Sequence, residues 1–257
     1  MAKSERINRL ITILQQKNGA SIKELAGALQ VTEMTIRRDL RELSESGKVD
    51  LVRGVAIYRP NQGESENSPY SLLREQKMRS REKERIGLAA AGLIESGDVV
   101  FLDMGTTAAW VARYIPQNMK ITVMCCAVNI LTEIRQKNVD QIIMSGGFYH
   151  KDTQAFECAE SIHMMRSRRA AKAFIVPAGA SMALGLTCNS PYEVELKRVG
   201  LDHALKKILL LDSSKFGKVY ACCFGDWDQI DTVITDAEIS EEWKDFLREK
   251  GVELVIV

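Results

Sequence analysis

Apolar residues in the first fifty positions recur at helical spacing in three short blocks. Ile7, Leu10, Ile11 and Leu14 share one face of a helix predicted over roughly Ser4 to Lys17, which Asn18-Gly19 ends. Ile22, Leu25 and Leu29 form the inner face of a second helix. Ser21 caps it, and Glu24 three residues on completes a capping box. A tight turn through Gln30 and Val31 follows. Thr32 then caps a third helix that carries EMTIRRDLRELSES and stops at Gly47. Two β-prone runs, VDLVRG and VAIY, suit a small wing hairpin around Gly54.

The pattern changes after the segment PNQGESENSP, which has no apolar periodicity and reads as a linker. The run LLREQKMRSREKERIGLAAAGLI is predicted as one charged helix. Beyond it lie the apolar runs DVVFLDMG, ITVMCCA, QIIMSGG, AFIVPAGA, KILLLDSS, DTVITD and VELVIV, with helix-forming segments between most of them. Buried strands alternating with helices predict βαβ units and a mostly parallel sheet. The expected domains are a winged helix-turn-helix at 1–58, a linker at 59–70 and an α/β domain at 71–257. In such a sheet a ligand site belongs at the carboxyl ends of the strands.

Composition narrows the classes. Of 257 residues, 46% are hydrophobic and 27% charged, the balance of a globular protein. No apolar run approaches the ~18–20 residues of a bilayer span, and the N-terminus has no apolar signal region, so a cytoplasmic protein without a membrane partner is expected. The six cysteines show no CxxC and the three histidines are scattered, so no metal or cofactor is expected. Net charge is +1, yet residues 1–60 hold eleven Lys/Arg against seven Asp/Glu, leaving 24 against 27 elsewhere. A basic head on a mildly acidic body suits double-stranded DNA as a partner of the head.

The third helix supplies the chemistry. Ile36, Leu40 and Leu43 fall on its inner face, which leaves Met34, Thr35, Arg37, Arg38 and Arg41 facing outward. Arginine pairs with guanine O6/N7 or with phosphate, and Thr or Met meets a thymine methyl. Thr32 at the helix N-terminus is placed to meet a phosphate. The expected DNA contacts are Ser21, Thr32, Met34, Thr35, Arg37, Arg38, Arg41 and, in the wing, Arg53. Asp39 is a poor phosphate contact and is expected to orient an arginine or to cap locally. In the body, Asp103-Met-Gly-Thr-Thr107 follows a strand and precedes a helix beginning near Ala108. It reads either as an anion cradle or as an ordinary βα turn. Ser145-Gly146-Gly147 is equally open. Glu193 and Lys197 share a helix face and read as a site pair or a surface ion pair.

The segment RINRLITILQQKNGASIKELAGALQVTEMTIRRDLRELSESGKV closely resembles the head of the DeoR family of bacterial transcriptional regulators. DMGTT, MSGG, PYEVELKR and DSSKFGK resemble that family's sensor motifs. Two features depart from it: Gln30 stands where the family often has Gly, and RGV replaces a fuller Gly-Gly wing. The resemblance implies a sensor related in fold to sugar-phosphate isomerases and CoA transferases. It also implies a repressor of a carbohydrate or nucleoside operon, acting as a homo-oligomer on paired half-sites. A phosphorylated sugar, first deoxyribose 5-phosphate, would release it. The implied effector residues are Asp103, Gly105, Thr106, Thr107, Gly146, Gly147, Glu193, Lys197, Asp212 and Lys215. The competing expectation is an active isomerase or transferase with Asp103, Glu193 and Lys215 as acid–base groups.

Overall fold

A computed structural model describes residues 2–17, 19–52, 54–58 and 72–257, with only the backbone of Leu73 and Arg74. The expected linker and Arg53 lie outside the described residues.

The head contains α1 (Lys3–Lys17), β1 (Gly19–Ser21), α2 (Ile22–Leu29), α3 (Glu33–Glu45), β2 (Val49–Val52) and β3 (Val55–Tyr58). Leu10 and Leu14 of α1 pack with Leu25 and Leu29 of α2 and with Ile36, Leu40 and Leu43 of α3. Both predicted caps form. Ser21 Oγ accepts from the Glu24 amide while Glu24 accepts from the Ser21 amide, and Thr32 Oγ1 accepts from the Thr35 amide. The wing is three-stranded, because β1 pairs antiparallel with β3 beside β2. Three residues are too few to display a period, so β1 left no signal in the sequence. Gln30 ends α2 at φ 54°, the left-handed conformation that favours glycine. Gln30→Gly is therefore expected to stabilise the head by about 0.5–1 kcal/mol, seen as a higher urea midpoint with an unchanged slope.

The body opens with two helices, α4 (Leu72–Lys77) and α5 (Ser80–Ala91), where the sequence predicted one. The break is at Arg79, whose φ is 50°. The stretch from Leu72 to Ile86 has no Gly or Pro and carries no local mark of such a break. Arg79 is held by tertiary partners: its guanidinium donates to Ser213 and Glu238, with Asp236 3.6 Å away.

The chain continues through β4 (Val99–Leu102), α6 (Thr106–Tyr114), β5 (Thr122–Cys125), α7 (Val128–Ile134) and β6 (Gln141–Met144). A hairpin of β7 (Phe148–His150) and β8 (Ala155–Glu157) leads to α8 (Ala159–Arg166) and β9 (Ala170–Ile175). Then come β10 (Gly179–Ser181), β11 (Gly185–Cys188), α9 (Pro191–His203), β12 (Ala204–Leu210), β13 (Cys222–Gly225), β14 (Thr232–Thr235), α10 (Glu241–Glu249) and β15 (Glu253–Ile256). Each of the seven apolar runs contributes one strand to a parallel sheet ordered β15-β14-β12-β9-β4-β5-β6. β4 leads outward to β5 and β6. The chain then returns to the other side of β4 with β9 and continues to β15. Strand order therefore reverses between β4 and β9, and a crevice opens beyond their carboxyl ends. β10, β11 and β13 form a separate antiparallel sheet above it.

Candidate functional site

The head presents one face of α3. Ile36, Leu40, Leu43 and Asp39 are buried, while Arg37, Arg38 and Arg41 are exposed and Met34 is 75% exposed. Asp39 does orient an arginine, but one from α1: Arg6 donates through Nε at 2.5 Å and Nη2 at 3.1 Å. The acidic residue of MTIRRDL is thus consumed inside the head, and the outward face keeps its positive charge. Arg37 lies 3.7 Å from Glu33 in a solvent-exposed pair. Arg37 and Arg41 border a hollow against Leu51 and Gly54 of the wing, so helix and wing share one concave surface. Thr32 and Thr35 lie at the start of that helix, their hydroxyls 3.0 Å apart. Ser21 is not brought to this face. It lines a cavity of about 650 Å³ between head and body, with Phe216, Gly217 and Val219 on the far wall.

In the body, the crevice between β4 and β9 is closed below by a buried polar layer. Asp103 is completely buried. Its Oδ1 accepts from the Met104 amide at 2.8 Å. Its Oδ2 accepts from the Val176 amide at 2.9 Å and from Lys197 Nζ at 2.8 Å. Lys197 also donates to the Val176 carbonyl at 2.7 Å and lies 3.9 Å from Glu193, one turn away on α9. Burial pushes the carboxyls of Asp103 and Glu193 upward against the pull of Lys197. Burial also opposes the charge on Lys197, yet the two carboxylates win and hold the ammonium above its ordinary value. With both oxygens engaged by the fold, Asp103 is a clamp across the strand-order reversal. Glu193 and Lys197 form a buried pair, not a surface one.

Above this layer is a cavity of about 40 Å³. The β4–α6 turn contributes Gly105, Thr106 and Thr107, and α6 begins at Thr106, two residues earlier than expected. Gly105 has φ 135°, and a Cβ there would stand 3.0 Å from Val176 Cγ1, so only glycine lets the turn approach β9. Asp212 and Lys215 follow β12; Glu193 and Lys197 come from α9. Asp212 Oδ1 accepts from the Ser214 amide at 3.1 Å, while its buried Oδ2 has no hydrogen-bond partner among the described residues.

Seven of the ten sensor residues expected from sequence therefore line one cavity, and Asp103 lies beneath it. Gly146 and Gly147 do not join them. They turn the chain from β6 into β7, and a Cβ on Gly147 would stand 2.3 Å from the Glu157 carbonyl oxygen, so that glycine serves the hairpin. Sequence reasoning missed Glu75, Lys83 and Asn189. Glu75 and Lys83 sit in a run of alternating charge that reads as a solvated helix face, and Asn189 in a strand-to-helix turn. Among the described residues no cluster of His, Cys, Asp and Glu fits a metal ion, and no helix is long and apolar enough to cross a membrane.

A winged helix-turn-helix with an outward basic face, joined to an α/β body with a cation-lined cavity at its strand-order reversal, defines a DNA-binding regulator with a sensor domain. Residues 6–61 match the DeoR-like helix-turn-helix domain, and residues 78–237 match the DeoR C terminal sensor domain. The chain belongs to the DeoR family. It is 30% identical over 254 residues to the deoxyribose operon repressor of Escherichia coli K12, covering 98% of both chains. It is also 30% identical over 256 residues to the transcriptional repressor GlcR of Bacillus subtilis 168, covering 100% of this chain and 97% of that one. Among solved structures, ribose 5-phosphate isomerase A of Methanocaldococcus jannaschii aligns over 52% of this chain and 53% of its own, with TM-score 0.37 and 15% identity.

Proposed function

We propose that this protein represses a carbohydrate or nucleoside catabolic operon and leaves its operator when a phosphorylated sugar enters the cavity between β4 and β9. The observation that carries the reading is the convergence of Lys83, Lys215 and the amino end of α6 on one small polar cavity at the strand-order reversal. Amides at a helix N-terminus and two ammonium groups suit a phosphate. The unpartnered Oδ2 of Asp212 suits a sugar hydroxyl. Deoxyribose 5-phosphate is the first effector to test, since the E. coli relative is named for the deoxyribose operon. A homo-oligomer fits the reading, because paired heads match symmetric half-sites. The protein is read as a sensor without catalysis, because kinship in fold carries no chemistry with it.

A route from cavity to head supports the coupling. The segment after β12 carries Asp212 and Lys215 into the cavity, and four residues later the Val219 amide donates to the Lys17 carbonyl at the end of α1, at 3.3 Å. A shift of that segment on effector binding changes the support beneath the head. The coupling required is of order 1–3 kcal/mol.

The direct test is a thermal-shift screen against sugar phosphates, followed by operator release with the hits. A ligand at 100 times its Kd stabilises by about 2.7 kcal/mol. Failure of every sugar phosphate to raise the melting temperature counts against the reading, and turnover at enzymatic rates replaces it with the isomerase or transferase alternative. Thr106→Val keeps shape and removes the hydroxyl. It is expected to weaken effector binding about tenfold or more with operator affinity unchanged, measured by calorimetry and gel shift.

A further inference from the structure

We propose that Glu75 is a built-in occupant of the anion site, and that a phosphorylated ligand enters by displacing its carboxylate from Lys83 and Lys215, which frees α4. The proposal rests on reading the cavity as a phosphate site. Lys215 Nζ donates to Glu75 Oε2 at 2.9 Å, and Lys83 Nζ lies 3.5 Å from the same oxygen. Both cations that suit a phosphate are thus already bound to one carboxylate. Lys83 is 2% exposed and donates at 2.6 Å to the Glu75 carbonyl as well, so the end of α4 is held by the same ammonium. Burial alone disfavours the Glu75 charge, yet Lys215 and Lys83 hold its carboxyl below the ordinary range, so the occupant is an anion at neutral pH.

Size points the same way. A cavity of about 40 Å³ is small beside small-molecule sites, which run to roughly 300 Å³ and more. A sugar phosphate does not fit unless a wall moves. Of the lining residues, Glu75 is on the element best suited to move. α4 is a six-residue helix, separated from α5 by the left-handed Arg79. It anchors through Leu72, whose side chain is buried and whose amide donates to the Asp152 carbonyl at 3.1 Å. A dianion competes with the single charge of Glu75 for two ammonium groups, so a phosphate monoester is favoured and a neutral sugar cannot open the site.

The test uses the full-length protein and inorganic phosphate as probe. Glu75→Gln keeps the shape of the side chain and removes its charge. Calorimetry is expected to give about tenfold tighter phosphate binding than wild type, while Lys215→Met binds none. Hydrogen exchange at the amides of α4 is expected to speed up in wild type when phosphate saturates. Equal or weaker binding by Glu75→Gln, or slower exchange in α4 with phosphate, overturns the proposal and leaves the phosphate site standing. Absence of phosphate binding in both wild type and Glu75→Gln, or full binding by Lys215→Met, removes the phosphate site and the proposal with it. Should Glu75→Gln fail to fold, Glu75→Asp withdraws the carboxylate by one methylene and is read the same way.

Discussion

Lys197→Met is expected to destabilise the sensor domain by about 3–5 kcal/mol, because it leaves Asp103 and Glu193 buried without their counter-charge. Methionine fills much of the lysine volume, so the loss is electrostatic more than steric. The deficit has a sign in pH. Burial raises the folded-state values of both carboxyls, and without Lys197 they rise further. Between the unfolded value near 4 and the raised folded value, the folded state binds more protons than the unfolded one. Stability of the variant therefore falls as pH rises through that window. Urea unfolding is expected to show a larger deficit at pH 8 than at pH 5, and adding Asp103→Asn should recover part of it. A loss below about 1 kcal/mol, or a deficit flat with pH, would mean that water or another cation reaches the pair.

The same triad shows what the sequence displays and what it hides. The seven strands of the parallel sheet were legible because each is built on a short apolar run, as in Val99–Leu102 and in the buried Ile208, Leu209 and Leu210 that end Ala204–Leu210. The caps at Ser21 and Thr32 were legible because capping is local chemistry. The β4–α6 turn was legible as a candidate because Gly105 and the two threonines are unusual at a strand end. Whether Glu193 and Lys197 face solvent or core depends on α9 packing against β9, β12 and β13, and i,i+4 spacing is blind to that. Glu75 and Arg79 were hidden for the same reason. Their partners Lys215, Ser213 and Glu238 lie more than 130 residues away, and only the fold brings them together. Lys83 pairs with Glu75 only eight residues away, but that the pair is buried is again set by the fold. Gly147 misled in the opposite direction, since a glycine demanded by a hairpin looks the same in sequence as one demanded by a ligand.

In the head, Arg38→Ala is expected to lower affinity for the preferred operator by about 1–3 kcal/mol, a factor of roughly 5–150, and to relax base preference at one position of each half-site. Asp39 is spent on Arg6, and Arg37 has Glu33 within 4 Å. Among the described residues neither Arg38 nor Arg41 has a carboxylate partner, and both are exposed on the face that carries Met34. Arg41 sits beside the wing, where a groove edge and its phosphates would pass. Arg38 is exposed and does not border the hollow against the wing, which makes it the candidate for base edges. Selection from random duplexes gives the preferred sequence, and fluorescence anisotropy across a salt series then separates the two roles. A base reader loses far more affinity on the selected site than on random DNA, with the salt slope little changed. A phosphate contact weakens both alike and lowers the slope by about one. Equal losses on both duplexes would move Arg38 from reading to positioning, and an unchanged isotherm would remove it from the interface.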